Sequence, residues 1–331
     1  MMIPPSHRKS AIISTTMALL MSLMMVGSCR TPPHILTVGI VVWDTESGNT
    51  ILDGFKNAMS QLGYIEGNNI KYISNTVPEK QISNIPFVDT QIEQVIGQKV
   101  DLLLVIGREV IARAKELVAG TDIPVIFAGA SHPVEEGLIE SIAHPGGNLT
   151  GIKFANSIPK AFEWLVSISG SKKVYVPYDP GDDISIFSLT FLNESAFQLG
   201  VELVLGKVHS VEEAAAGIEN LPGDVDAVFR IPSSLLDPKN SILSLAAINK
   251  RIPMVAPLTL DEAVLASFKN DEYSVGGKMA RLVQQVVQGA KPADLPVETG
   301  EVTLTINLKT AEAIGLSIPD EVLAQAHYII R

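Results

Sequence analysis

The feature of this sequence that most constrains its fold is an alternation of short, β-branched apolar runs with longer segments of helical period. This alternation is typical of parallel α/β architecture. Several of the short runs are apolar on both faces, which predicts a sheet covered by helices on each side. The predicted strands are residues 35–42, 69–74, 101–106, 123–127, 173–176, 201–205, 227–231 and 252–255.

Segments with an apolar period of 3.6 residues lie between these runs. In the first of them, Ile51, Phe55 and Met59 fall on one helical stripe. Asn49 or Thr50 is the expected cap of this helix. The predicted helices are residues 49–62, 88–97, 109–119, 159–169, 185–199, 241–249 and 273–288.

The alternation of predicted strands and helices continues to about residue 150 and begins again near Lys172. Two passes predict two Rossmann-like, doubly wound lobes rather than one large sheet. A helix and an alternating strand at 301–306 follow Tyr273, and we expect this strand to join the first lobe. The chain would then cross between lobes near 149–154 and 265–268. The expected units are a signal peptide (1–28), a tether (29–34), a first lobe (35–151 and 272–331) and a second lobe (152–271).

The N-terminus has the layout of a secretory signal, because a basic stretch at 7–9 precedes sixteen mostly apolar residues and two small ones. A permanent membrane-spanning helix is the alternative, but such a helix needs about 20 apolar residues. Cys29, the only cysteine, follows Gly27 and Ser28, and the stretch VGSC resembles a bacterial lipobox. This resemblance implies that the thiol is acylated and tethers the exported chain to the membrane. A lone buried thiol is the alternative.

Composition argues against several classes of function. The formal net charge is −11, and no stretch clusters Lys or Arg with aromatic residues. This balance argues against nucleic acid or an anionic membrane surface as a partner. The sequence has none of the common motifs for a nucleophile, a metal protease or a phosphate loop. Six scattered histidines do not make a zinc site. We therefore expect no enzyme, no metal and no cofactor.

Several separate blocks, in a fixed order, resemble the ABC transporter substrate-binding protein family that includes tryptophan- and tyrosine-type receptors. The blocks are LGYIEGNNI (62–70), HPVEEGLIESIAHPGGNLTGI (132–152), YDPG (178–181), GAKPADLPVET (289–299) and INLKTAEAIGLSIPDEVLAQA (306–326). The resemblance implies a type I periplasmic binding fold, in which two lobes joined by a multi-strand hinge close on a small molecule and present it to a membrane permease.

Ligands of open parallel sheets bind at the carboxyl ends of strands, beside helix N-termini. The candidate ligand-binding residues at these ends are Trp43, Asp44, Arg108, Glu109, Ser131, Tyr178, Asp182, Arg230, Ser233 and Thr259. Most of these residues could instead have a purely structural role. Trp43 could pack on the lobe rim, and Asp182 could cap the helix from Ser185.

Two candidates bear on the charge of the ligand. Arg108 and Arg230 could together bind an anion, because guanidinium groups match carboxylate geometry. Either arginine could instead pair with a protein acid such as Glu109. Relatives with the same blocks often carry an acid after proline at the edge where this chain has Ser233 and Ser234. Such an acid suits the ammonium group of an amino acid, and this chain lacks it at that position.

The function expected from these observations is a lipid-anchored, monomeric solute-binding protein of an ABC import system, located in the cell envelope. It would capture an amino-acid-like or small organic molecule between two lobes by hinge closure. The alternative is a ligand-sensing module for a membrane kinase or chemoreceptor. A small-molecule ligand and a membrane permease are the expected partners.

Overall fold

The computed structural model describes residues 34–237, 240–257 and 263–331. The strands are β1 (Leu36–Asp44), β2 (Ile70–Pro78), β3 (Leu102–Ile106), β4 (Val125–Ala128), β5 (Leu149–Lys153), β6 (Lys173–Tyr178), β7 (Glu202–Lys207), β8 (Ala227–Phe229), β9 (Met254–Pro257), β10 (Ala266–Asn270), β11 (Glu298–Thr299), β12 (Val302–Asn307) and β13 (Tyr328–Ile330). The helices are α1 (Glu46–Gln61), α2 (Ile85–Ile96), α3 (Arg108–Leu117), α4 (Ile158–Ser169), α5 (Asp183–Leu199), α6 (Val211–Glu219), α7 (Asn240–Lys250), α8 (Glu272–Val287), α9 (Leu308–Ile314) and α10 (Asp320–Leu323).

The strands form two separate sheets, one for each lobe. The first has the order β11-β5-β4-β3-β1-β2, and the second has the order β13-β12-β10-β9-β8-β6-β7. All pairs in the first sheet are parallel. In the second sheet, β12 runs antiparallel to β10. The predicted α/β fold with two doubly wound lobes is therefore confirmed.

Each sheet is covered by helices on both faces, as the doubly apolar strands predict. Along β1, Val38 and Ile40 belong to one apolar cluster and Val41 to another, so successive side chains enter cores on opposite faces. The first cluster also contains Phe55 of α1 and Met279 of α8. Two further clusters lie on the two faces of the second sheet. Both lobes thus have cores of their own.

The chain passes between the lobes at three segments, which we call the hinge: residues 153–158, 270–272 and 299–302. Hydrogen bonds join the three segments. The backbone N–H of Ala155 donates to Oδ1 of Asn270 at 2.9 Å. The N–H of Gly300 donates to the carbonyl of Lys153 at 2.8 Å. Asn270 is buried, so this junction is shielded from water.

The expectation that all of 272–331 joins the first lobe is wrong for its last part. Helix α8 packs on α1, and β11 pairs with β5 in the first sheet. Strand β12, predicted at 301–306, pairs instead with β10 in the second sheet, and β13 pairs with β12. The physical reason is that Leu304 and Ile306 pack into the apolar core of the second lobe.

Two smaller expectations also differ from the structure. The cap of α1 is Thr45, whose Oγ1 accepts from the N–H of Gly48 at 3.1 Å, and neither Asn49 nor Thr50 caps it. The second crossing occurs after β10 and not within it. Over the part of the chain that the structure describes, no helix has both the length and the apolar character needed to cross a bilayer.

Candidate functional site

A cavity of about 660 Å³ lies between the lobes and is walled by residues from both of them and from the hinge. The first lobe contributes Arg108, Ser131, His132, Glu135 and Glu136. The hinge and the start of α4 contribute Ala155, Asn156, Ser157 and Ile158. The second lobe contributes Asp183, Ile184, Ile186, Phe187, Ser188, Thr190 and Pro232. The volume lies within the roughly 300–1,000 Å³ typical of small-molecule pockets.

The first-lobe wall follows the carboxyl ends of β3 and β4, where sheet topology places ligand-binding residues. Arg108 begins α3, and its Nε donates to Oε2 of Glu136 at 3.0 Å. Glu136 Oε1 also accepts from the backbone N–H of His132 at 3.3 Å. The guanidinium of Arg108 is therefore already paired with a protein acid, as one of the two sequence-based alternatives holds, although the acid is Glu136 and not Glu109.

The second-lobe wall is the first half of α5, and it is mainly apolar. Ile184 and Phe187 remain substantially exposed although they are large and apolar. With Ile186 they form a cluster of exposed apolar residues that lines the cavity, and such a cluster, unlike a single exposed residue, is typical of a binding surface. Asp182 caps α5 through the N–H of Ile184 and also accepts from the N–H of Ser234 at 2.8 Å. Asp182 thus holds the wall in place, as its alternative role predicts.

An aromatic contact joins the lobes beside the cavity. The imidazole of His132 stacks on Phe191 with ring centroids 4.7 Å apart, and it meets the edge of Phe187 at 4.8 Å. Burial lowers the pKa of His132 and Lys153 lowers it further, against the opposing effects of Glu135 and Glu136. The ring is therefore neutral at pH 7, and its Nε2 has no hydrogen-bond partner among the described residues.

The hinge contributes a polar side chain that also lacks a partner. Ser157 precedes the first residue of α4 and is only 3% exposed. Its hydroxyl makes no hydrogen bond within the described part of the chain. The neighbouring Asn156 accepts from the N–H of Ile158 at 3.2 Å. Ser157 was not among the sequence-based candidates, because its hinge position depends on how the two lobes meet.

Three candidates of the first lobe do not line the cavity. Trp43, near the end of β1, packs so closely on Gly107 that a Cβ there would lie 2.4 Å from the indole ring. Trp43 Nε1 and Glu109 Oε2 are buried without partners in the described residues. Asp44 is exposed and borders a shallower depression with Pro78. The structure therefore places Trp43 against the lobe itself, as its alternative role predicts.

Three candidates of the second lobe lie in its interior. Tyr178 packs in the apolar core. Arg230 is 1% exposed and forms an ion pair with Asp237, and it also donates to the carbonyls of Ile231 and Pro257. Ser233 is fully buried, and its hydroxyl accepts from backbone N–H groups of the following turn.

Arg108 and Arg230 thus each have a carboxylate of their own, which removes the main reason to expect them to share an anion. Thr259 and Cys29 lie outside the described residues. Among the described residues, no group of three metal-ligating side chains comes together.

Comparison with known proteins places this chain in one family. A family model described as "ABC transporter substrate binding protein" matches residues 37–330. A tyrosine-binding protein from Clostridioides difficile (strain R20291) is 27% identical over 267 residues, which cover 80% of this chain and 76% of the relative.

Two solved structures show the same architecture. One is the ligand-free, open structure of a substrate-binding protein with adhesive properties from Clostridium difficile, with a TM-score of 0.81 and 23% identity. The other is the ABC domain in complex with L-Trp from Streptococcus pneumonia, with a TM-score of 0.71 and 23% identity. Each alignment covers 89% of this chain and 99% of the solved chain.

Proposed function

This chain belongs to the ABC transporter substrate-binding protein family, and on that premise we propose that it captures an amino acid with a bulky apolar side chain. The observation that carries the proposal is the cavity between the lobes. Its walls combine apolar side chains of α5 with the carboxylates of Glu135 and Asp183, both exposed. An apolar wall suits the side chain of the ligand, and the carboxylates suit its ammonium group.

The charge of the cavity supports an amine. Its lining contains the carboxylates of Glu135, Glu136 and Asp183 but a single guanidinium, that of Arg108, which is paired with Glu136. A positively charged group in the ligand is favoured where acids are in excess. The names of two relatives, which refer to tyrosine and L-Trp, support an aromatic amino acid in particular.

The wider role proposed is delivery of this ligand to a membrane permease by a monomer that performs no chemistry on it. Hinge closure serves this role if the ligand contacts both lobes more strongly when they are shut. Acylation of Cys29 would attach a lipid to the exported protein, and insertion of that lipid into the bilayer would hold the protein at the membrane.

The ligand class is tested by calorimetric titration of L-tyrosine, L-tryptophan, L-alanine and L-glutamate into the wild-type protein. The aromatic amino acids should bind and the other two should not. Phe187→Ala should weaken aromatic binding about tenfold, because the ligand loses an aromatic contact worth about 0.5–1.5 kcal/mol beyond its buried area. Phe197→Ala is the matched control: Phe197 lies on the same helix, is 88% exposed and does not line the cavity.

Equal affinity of wild type and Phe187→Ala for the aromatic ligand would contradict a site in this cavity. Binding of L-glutamate in preference to the aromatic amino acids would contradict the proposed ligand class.

A further inference from the structure

We propose that the start of α4, with the hydroxyl of Ser157, is the subsite that recognises the carboxylate of the ligand. The inference rests on the proposed function and assigns one end of the amino acid to a place in the cavity. The first observation is that Ser157 lines the cavity, is 3% exposed, and has a hydroxyl without a hydrogen-bond partner among the described residues. A buried hydroxyl without a partner carries a desolvation cost that a ligand oxygen would relieve.

The backbone explains why this hydroxyl is available. Ser157 has φ −81° and ψ −11°, which is already helical, whereas a capping residue such as Thr45 is extended and bonds a first-turn N–H. Pro159, at the second position of α4, has no N–H to offer. Asn156 binds the N–H of Ile158 in its place. The hydroxyl hydrogen of Ser157 is therefore free to be donated to a ligand.

The electrostatics of the helix start favour an anion. α4 has twelve residues, and its first turn contains no acidic residue. The aligned peptide dipoles of such a helix place a partial positive charge at its N-terminus. The acids of the cavity lie elsewhere, on the loop after β4 and at the start of α5. The cavity thus has one element suited to a carboxylate and two others suited to an ammonium group.

The subsite lies in the hinge, where hydrogen bonds between the hinge segments hold its backbone in place. Ala155, two residues before Ser157, donates its N–H to the buried Asn270 at 2.9 Å, which ties the first hinge segment to the second. A carboxylate bound beside Ser157 is held at the junction of the lobes, in the same cavity that Phe187 of α5 lines. Ser157 is therefore a specificity-determining residue for ligands that carry a carboxylate.

The test compares each amino acid with the amine that lacks only its carboxylate. L-tyrosine and tyramine, and L-tryptophan and tryptamine, are titrated into wild type, Ser157→Ala and Ser195→Ala. Wild type should prefer the amino acid, and Ser157→Ala should reduce that preference by about tenfold or more, as expected for a hydrogen bond to a charged group. Ser195 is the control, because it is a buried serine of α5 that does not line the cavity and whose hydroxyl already donates to the carbonyl of Phe191, so its replacement should leave the preference unchanged.

The preference is a ratio measured within one protein, so a change in folding cancels from it. If Ser157→Ala binds all four compounds with the wild-type ratio, the subsite is wrong while the proposed function stands. If tyramine and tryptamine bind wild type as tightly as the amino acids, no carboxylate subsite exists. If none of the four compounds binds wild type, the proposed ligand class and the subsite both fail.

Discussion

Replacing Gly276 with alanine should lower the free energy of unfolding by about 3 kcal/mol, at the upper end for overpacking of a core. A Cβ at Gly276 would lie 2.1 Å from the carbonyl oxygen of Ile51 and 2.5 Å from the backbone nitrogen of Phe55. These are backbone atoms of α1, so they move only if α1 and α8 separate. Separation would open the apolar cluster that contains Phe55 and Met279.

The adjacent glycine gives a matched control for this substitution. A Cβ at Gly277 would have no heavy atom within 4 Å. Gly277→Ala should therefore be neutral or raise stability by up to about 1 kcal/mol, because alanine has the higher helix propensity. Urea unfolding followed by circular dichroism measures both variants. Equal stability of the two would show that α1 and α8 do not approach as closely as the structure has them.

Replacing Arg230 with methionine should destabilise the second lobe by about 3 kcal/mol and leave ligand affinity unchanged at temperatures where the variant is folded. Removing one partner of a buried ion pair costs about 3–5 kcal/mol, and the partial exposure of Asp237 places this case at the lower end. The guanidinium also donates to the carbonyl of Pro257, the last residue of β9, at 3.4 Å.

Arg108→Met is the control, because its ion pair with Glu136 is on the surface of the cavity and 58% of the arginine side chain is exposed. Loss of such a pair costs at most about 1 kcal/mol. Thermal unfolding and calorimetric titration together distinguish a structural role of Arg230 from a role in ligand binding. If Arg230→Met keeps its stability but loses ligand binding, Arg230 is a ligand-binding residue, as the sequence-based hypothesis of a shared anion holds.

The alternation of apolar runs was sufficient to predict the two sheets, because strands such as β3 are buried on both faces and leave few alternatives. It was insufficient to place β12. The pattern around Leu304 and Ile306 shows which face is buried but does not show against which sheet. The choice between lobes depends on a free sheet edge beside β10, which is a tertiary property.

The candidate site was predictable only in part. The rule that ligands bind at the carboxyl ends of parallel strands led to Arg108 and Ser131, which line the cavity. The same rule led to Arg230 and Ser233, which turn into the interior and bind backbone groups. A strand end fixes where a residue lies but not whether its side chain faces the cleft.

The residues that sequence reasoning missed lie on elements whose relation to the cleft depends on both lobes. Phe187 follows a helix cap that the sequence does indicate, and the run ISIF at 184–187 places unusually apolar residues at an exposed helix start. That run was the available signal. Ser157 had no comparable signal, because a serine before a proline-containing helix start is common and its missing hydrogen bond is visible only in the structure.

The central claim, that the cavity between the lobes is the ligand site, is tested most directly by a crystal structure of the protein saturated with L-tryptophan or L-tyrosine. The account predicts one ligand that contacts both lobes, with its carboxylate within hydrogen-bond distance of the Ser157 hydroxyl and its aromatic ring against Phe187. A saturated crystal in which this cavity holds no ligand, or in which the amino acid is bound elsewhere on the protein, would contradict it.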